Sequence, residues 1–130
     1  MARSLVSDDF CETVVPVILS NSIQAHFRAL RWQSRYGIAS VLCGQRKNIF
    51  DMLSLDSGFL LLDGERGRLA AEQLIDFAED WRECILVLIP VTDSDRAFIS
   101  QNIEVLESRY LISFDGGIDS LPIDSPERWV

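Results

Sequence analysis

Short runs of apolar residues alternate along this chain with segments in which apolar residues recur at helical spacing. The runs are continuous, whereas a strand with one solvated face alternates, so they predict strands covered on both faces by helices. The sequence therefore predicts an α/β fold, a single doubly wound five-stranded parallel sheet that is Rossmann-like or flavodoxin-like, in the common order 2-1-3-4-5. The predicted strands are Val14–Leu19, Ser40–Cys43, Phe59–Leu62, Ile85–Ile89 and Tyr110–Phe114.

The segments between the runs predict helices. Thr92 and Asp95 approximate a capping box at the start of the fourth helix, and a short helix is expected around Asn48–Leu55. Residues 13–118 form the predicted α/β domain, between an N-terminal tail, 1–12, and a C-terminal tail, 119–130. The expected core stripe of the third helix, Arg68–Arg82, is Ala70, Leu74, Phe77, Ala78 and Trp81. The apolar side of the fourth helix is Phe98, Ile99, Ile103, Val105 and Leu106.

The first helix carries two apolar stripes, although one is enough to cover a sheet. The second stripe predicts self-association, most simply a twofold dimer, through whichever stripe faces away from the sheet. Alternatively, a neighbouring helix and the N-terminal tail cover it, or the helix is fully buried. One stripe is Ile23, Phe27 and Leu30; the other, taken as the interface, is Ala25, Ala29, Trp32 and Tyr36; a basic stripe of Arg28, Arg31 and Arg35 lies between them.

The length and the net charge of the chain limit the number of domains and the kinds of partner that we expect. The chain has 130 residues, 48% of them hydrophobic, which suits one core. The formal charge of -8 repels phosphate and anionic headgroups, so neither nucleic acid nor a membrane is an expected partner. No apolar run approaches the ~20 residues of a membrane span, and the N-terminus lacks the apolar region of a signal peptide. These features predict a cytoplasmic protein.

The cysteines are Cys11, Cys43 and Cys84, far apart and odd in number, which favours reduced, buried thiols. His26 is the single histidine, so no zinc-type cluster is expected. We predict no metal and no cofactor. His26 would be the natural acid–base group of an enzyme, but its place at the edge of an apolar stripe favours a surface or half-buried side chain.

Two segments resemble the N-terminal domain of ATP-grasp carboxylate-amine ligases, the group that includes D-aspartate ligase. The first runs from Val17-Ile18-Leu19 through Ile23 and Trp32 to Tyr36-Gly37-Ile38, and is similar to P-V-I-L-G-x-D-I-N-A-Y followed by Y-G-I. The second, "LIPVTDSDRAFISQNIEVLESRYLIS", is similar to the family's L-I-P, D, L-I-x-x-N pattern. The resemblance covers nearly half the chain and implies a stand-alone or truncated N-terminal domain that acts as a non-catalytic binding or interaction module. Its expected partner is either a second copy or a separate chain with the ATP-binding lobes.

The chain departs from the family at the mouth of the sheet, where ligands of open parallel sheets bind. The family's Gly, Asp and Asn after strand one are Ser20, Ser22 and Gln24. The framework is thus kept while the site changes. Any ligand is expected at the carboxyl ends of strands one, three and four, and weak binding of an anion is predicted there. The candidate ligand-binding residues are Ser20, Asn21, Ser22, Asp63, Thr92 and Asp93.

A receiver-like signalling domain or a small enzyme is the alternative. Asp63 and Thr92 resemble a phospho-acceptor and its sensing hydroxyl, but the acidic pair after strand one and the lysine after strand five are missing. Asp63, Asp93, Asp95 and Asp115 could gather around a cation, although such acids are more often caps. "DGERGRL", with Arg66 between Gly64 and Gly67, could bind an anion, but an ordinary turn is favoured.

Overall fold

A parallel β-sheet forms the centre of the molecule. The structure, a computed structural model, describes residues 13–53, 58–62 and 67–114. The predicted α/β class and the five parallel strands are confirmed, with strand ends within two residues of the predicted ones. The strands are β1 Thr13–Ile18, β2 Val41–Gly44, β3 Gly58–Leu61, β4 Cys84–Ile89 and β5 Tyr110–Ile112.

The strand order is β3-β2-β1-β4-β5, so the predicted order 2-1-3-4-5 was wrong. Length and burial explain the difference. β1 and β4 have six residues each and pair along their whole length, from Thr13 against Cys84 to Ile18 against Ile89. β3 is shorter and Leu61 is 49% exposed, which suits an edge and not a central strand. The order is that of a Rossmann-type sheet, and receiver domains have the other order.

Helices connect successive strands. The helices are α1 Ile23–Tyr36, α2 Ile49–Leu53, α3 Arg68–Glu79, α4 Asp93–Gln101 and α5 Ile103–Leu106. The predicted fourth helix is therefore two helices, interrupted at Asn102, whose side-chain amide donates to the Phe98 carbonyl at 2.9 Å. α3 ends before Trp81, which is 39% exposed and stacks on Phe77. No helix in the described ranges is long and apolar enough to cross a membrane.

Each face of the sheet has its own core. On one face, α3, α4 and α5 bury Ala70, Leu74, Phe98 and other residues against β1, β2 and β4. On the other face, α1 packs against Ile18 and Leu42. Val105, from the apolar side expected for the fourth helix, is 49% exposed.

The expected interface stripe of α1 is instead part of the core. Its four side chains are only 4–7% exposed and belong to the cluster on the α1 side of the sheet. Small alanines let a helix approach a sheet closely, which explains why this stripe faces inward. The opposite stripe is the exposed one: Phe27 is 57% and Leu30 is 56% exposed. The exposed stripe of α1 is therefore Ile23, Phe27 and Leu30, whereas the expected interface residues Ala25, Ala29, Trp32 and Tyr36 are buried.

Candidate functional site

The turn after β1 begins the site. Ser22 is the N-cap of α1, and its hydroxyl accepts a hydrogen bond from the Ala25 backbone N–H at 3.2 Å. Ser20 accepts from the Ser22 backbone N–H and donates to the Ser22 hydroxyl, both at 3.1 Å. A hydroxyl at the N-cap satisfies a backbone donor that the helix leaves open. Ser20 and Ser22 therefore stabilise the start of α1.

Asn21, between these serines, connects the turn to the loop after β2. Its side-chain amide donates to the Arg46 carbonyl at 2.9 Å and to Oδ2 of Asp51 at 2.7 Å. Its backbone carbonyl accepts from the Asn48 side chain at 2.8 Å. These three bonds cross 25 to 30 residues of sequence, so Asn21 holds the ends of β1 and β2 together.

Gly44, the last residue of β2, makes this contact possible. A Cβ atom at position 44 would lie 2.6 Å from Oδ1 of Asn21, which is closer than real side chains allow. Every other residue type would displace Asn21 or the strand end. The glycine therefore belongs to the site, although no motif in the sequence marks it.

Asp51 is the centre of the polar cluster. Its Oδ1 lies 2.8 Å from Nε2 of His26, and its Oδ2 accepts from the amide of Asn21 and from the Asn48 backbone N–H at 2.8 Å. The Asp51 side chain is 2% exposed and that of His26 is 9% exposed. A buried carboxylate is tolerated when hydrogen-bond donors surround it, as they do here. His26 is thus buried, not surface or half-buried as expected.

Asn48 and Asp51 form a reciprocal cap at the start of α2. The Asn48 side-chain oxygen accepts from the Asp51 backbone N–H at 3.0 Å, while the Asp51 carboxylate accepts from the Asn48 backbone N–H. This is the pattern of a capping box with Asn and Asp as the two members. Their spacing of three residues was the available sequence signal. Pairing with His26 was not readable, because 25 residues separate the partners.

An open cleft of about 420 Å³ lies beside the cluster, at the carboxyl ends of β1 and β2. Arg46 and Lys47 bring positive charge to it, and the Lys47 ammonium also lies 5.9 Å from the centre of the Phe59 ring. Buried Cys43 contributes to its lining. The lining residues are Leu19, Ser20, Asn21, Cys43, Gly44, Gln45, Arg46, Lys47 and Asn48.

The turn after β4 uses its polar groups internally. The Thr92 hydroxyl accepts from the Asp95 backbone N–H at 3.1 Å, and the Asp95 carboxylate accepts from Thr92 and Val91 backbone N–H groups at 3.0 Å. The predicted capping box is confirmed. Exposed Asp93 forms an ion pair with Arg96 at 3.3 Å. These side chains stabilise the start of α4.

The predicted site residues separate into groups. Ser20, Asn21 and Ser22 follow β1, while Thr92 and Asp93 follow its neighbour β4. The cleft takes residues from the first group together with the loop after β2. Asp63, Gly64, Arg66 and Asp115 lie outside the described residues, and β3, which precedes Asp63, is separated from β1 by β2. Within the described ranges, no three His, Cys, Asp or Glu side chains are grouped to hold a metal ion.

The contacts of His26 point to positioning. Nε2 faces Asp51, and the ring lies 6.1 Å from that of Phe50, tilted by 43°. Nε2 is occupied by the contact with Asp51, whereas a catalytic imidazole must reach the proton that it transfers. The His26–Asp51 pair connects α1 to α2 and so holds the loop 44–48 that borders the cleft.

No family model, curated protein or solved structure matches this chain.

Proposed function

We propose that this chain is a non-catalytic binding domain whose ligand occupies the cleft at the carboxyl ends of β1 and β2. The proposal rests on the fixed position of Asn21 in the wall of the cleft. Hydrogen bonds to Asp51 and to the Arg46 carbonyl hold its side chain, and Gly44 leaves the space that this side chain occupies. Residues after the strand ends of an open α/β sheet are the usual place for ligands.

The charge at the cleft supports a small anionic ligand, such as a carboxylate or a phosphate. Arg46 and Lys47 are cationic, and the nearest acid of the cluster, Asp51, is buried and surrounded by donors. The start of α1 adds a favourable helix dipole. The resemblance to ATP-grasp carboxylate-amine ligases is in agreement with a carboxylate ligand.

Amide chemical-shift mapping with inorganic phosphate, and separately with aspartate, tests the proposal. The largest shifts are expected at residues 20–22 and 44–48. A second open cavity of about 450 Å³, lined by Arg68 and residues 100–105 among others, is the internal competitor. Responses centred there, or no response to either compound, would contradict the proposed site.

A matched pair of variants sharpens the test. Lys47→Gln removes a charge from the proposed cleft, and Arg68→Gln removes one from the second cavity. A surface charge acting on an anion contributes up to ~1 kcal/mol, so Lys47→Gln should weaken binding about fivefold. Arg68→Gln should leave the dissociation constant unchanged.

A second function, protein interaction through α1, is favoured by the exposure of Ile23, Phe27 and Leu30 at helical spacing. The self-association expected from the sequence is one form of such an interaction. The cytoplasm is the proposed compartment for either function, supported by the odd number and wide spacing of the cysteines in the sequence.

A further inference from the structure

The exposed apolar stripe of α1 has arginines along one side and a histidine and a phenylalanine along the other. At about 100° per residue, Ile23, Phe27 and Leu30 fall within an arc of about 60°. Arg31 and Arg35 follow on the Phe27 side of this arc, and both are exposed. On the other side lies His26, with Phe50 of α2 against its ring. We call Ile23, Phe27, Leu30 and Phe50 the α1–α2 surface.

The α1–α2 surface contains several exposed apolar side chains. Phe27, at 57%, and Leu30, at 56%, expose more than half of their accessible area, while Ile23 and Phe50 expose about two fifths. Ile49 and Met52, on the same short helix as Phe50, are also exposed. Adjacent apolar side chains of this kind on a helix mark a contact surface more often than solvated surface.

In α1 and α2, the exposed charged side chains beside this surface are all positive. α1 contains no acidic residue from Ile23 to Tyr36, and the acid of α2, Asp51, is buried against His26. The exposed Arg31 and Arg35 therefore give the edge a positive potential in a chain whose formal charge is -8. An occupant with acidic side chains at this edge complements that potential.

A second copy of the chain does not supply this complement. If the two α1 helices packed antiparallel about a twofold axis, the arginine edge of one copy would face the arginine edge of the other. If they packed parallel, each arginine edge would face the edge formed by His26 and Phe50, where the carboxylate of Asp51 is buried. Arginines that face other arginines, or that face no accessible acid of the second copy's α1 or α2, disfavour both arrangements.

We propose that the α1–α2 surface docks an acidic amphipathic helix of a partner protein. The ridge formed by Ile23, Phe27 and Leu30, at i, i+4 and i+7, matches the groove between apolar side chains of another helix. Acidic residues along one side of that helix would pair with Arg31 and Arg35. This interaction is independent of the proposed ligand cleft, which involves other side chains.

The probes are a pair of synthetic amphipathic helical peptides with the same apolar stripe, one flanked by Glu and the other by Lys. Each is labelled with fluorescein and titrated with the full chain, and anisotropy reports binding. The Glu peptide should bind at least ~tenfold more tightly than the Lys peptide, and added salt should reduce that difference. Equal affinities, or no binding of the Glu peptide, would overturn the proposal.

Variants place the binding on the α1–α2 surface. Phe27→Ser should weaken binding of the Glu peptide by more than ~tenfold, and Arg31→Glu should remove most of the preference for Glu over Lys. The matched controls are Val105→Ser, another exposed apolar position, and Arg68→Glu, another exposed arginine. Circular dichroism verifies that each variant is folded. Light scattering of the unliganded chain provides the competing outcome: a dimer that Phe27→Ser converts to a monomer would assign the surface to a second copy and overturn the proposal.

Discussion

The imidazole Nε2 of His26 lies 2.8 Å from Oδ1 of Asp51, in a contact that joins the first turn of α1 to the single turn of α2. Both side chains are nearly inaccessible to solvent. The pair fixes the loop between β2 and α2 relative to the turn after β1. The shape of the cleft thus depends on one buried contact between residues that are distant in sequence.

Asp51→Ala should strongly destabilise the protein. The substitution leaves His26, the Asn21 amide and the Asn48 backbone N–H without their buried acceptor. Unsatisfied buried groups cost about 2–4 kcal/mol in free energy of unfolding. Urea denaturation measures the change. The control is Asp93→Ala, whose exposed ion pair with Arg96 contributes less than ~1 kcal/mol; equal losses in the two variants would contradict the central role of Asp51.

Gly44→Ala should displace Asn21 and reduce stability by about 1–3 kcal/mol, because the new methyl group would meet the Asn21 side chain at 2.6–2.7 Å. Gly58→Ala on the adjacent strand is the matched control, since its Cβ would lie at an ordinary 3.5 Å from Cγ2 of Val41. Thermal unfolding and the amide spectrum of residues 44–48 check the prediction. A Gly44→Ala protein with wild-type stability and an unchanged spectrum would show that the close approach is not required.

Trp32→Ala and Phe27→Ala should separate the two stripes of α1. Trp32 is 7% exposed in the core, so its truncation should cost about 3–5 kcal/mol. Phe27 is 57% exposed, and its truncation should change the free energy of unfolding by less than ~1 kcal/mol. Chemical denaturation of both variants checks this difference. The reverse ranking would mean that α1 is rotated relative to the sheet.

Tyr110 should make the protein less stable at alkaline pH. Its hydroxyl donates to the Leu74 carbonyl at 2.7 Å, and burial, reinforced by nearby Cys43, raises the pKa of the phenol well above its ordinary value near 10. Because the pKa is raised in the folded protein, the stability that the protonated phenol contributes is fully present below pH 10. Above pH 10 the unfolded chain loses the proton while the folded protein keeps it, so stability falls by up to ~1.4 kcal/mol per pH unit.

Tyr110→Phe is the control variant for this loss of stability at alkaline pH. It removes the titrating hydroxyl and one hydrogen bond, so it should lower stability by about 1 kcal/mol at neutral pH. Above pH 10 its stability should fall less steeply than that of the wild type, and the two curves should converge. Parallel curves from urea denaturation across this range would exclude Tyr110 as the source.

Local patterns in the sequence were sufficient to predict the strands and the main helices of the fold. Continuous apolar runs identified all five strands, because a strand buried on both faces has no polar alternation. Thr92 with Asp95 identified the start of α4, because a capping box is complete within four residues. The two stripes of α1 were also readable from helical spacing alone.

The arrangement of these elements depended on the tertiary structure. Right-handed crossovers permit both 2-1-3-4-5 and 3-2-1-4-5, and the choice follows from which strands are long and apolar enough to be central. The same holds for α1: both stripes are apolar, and only packing against the sheet buries Trp32 and leaves Phe27 exposed. His26 and Asp51 meet for the same reason, since a side-chain contact across 25 residues requires the fold to bring the two helices together.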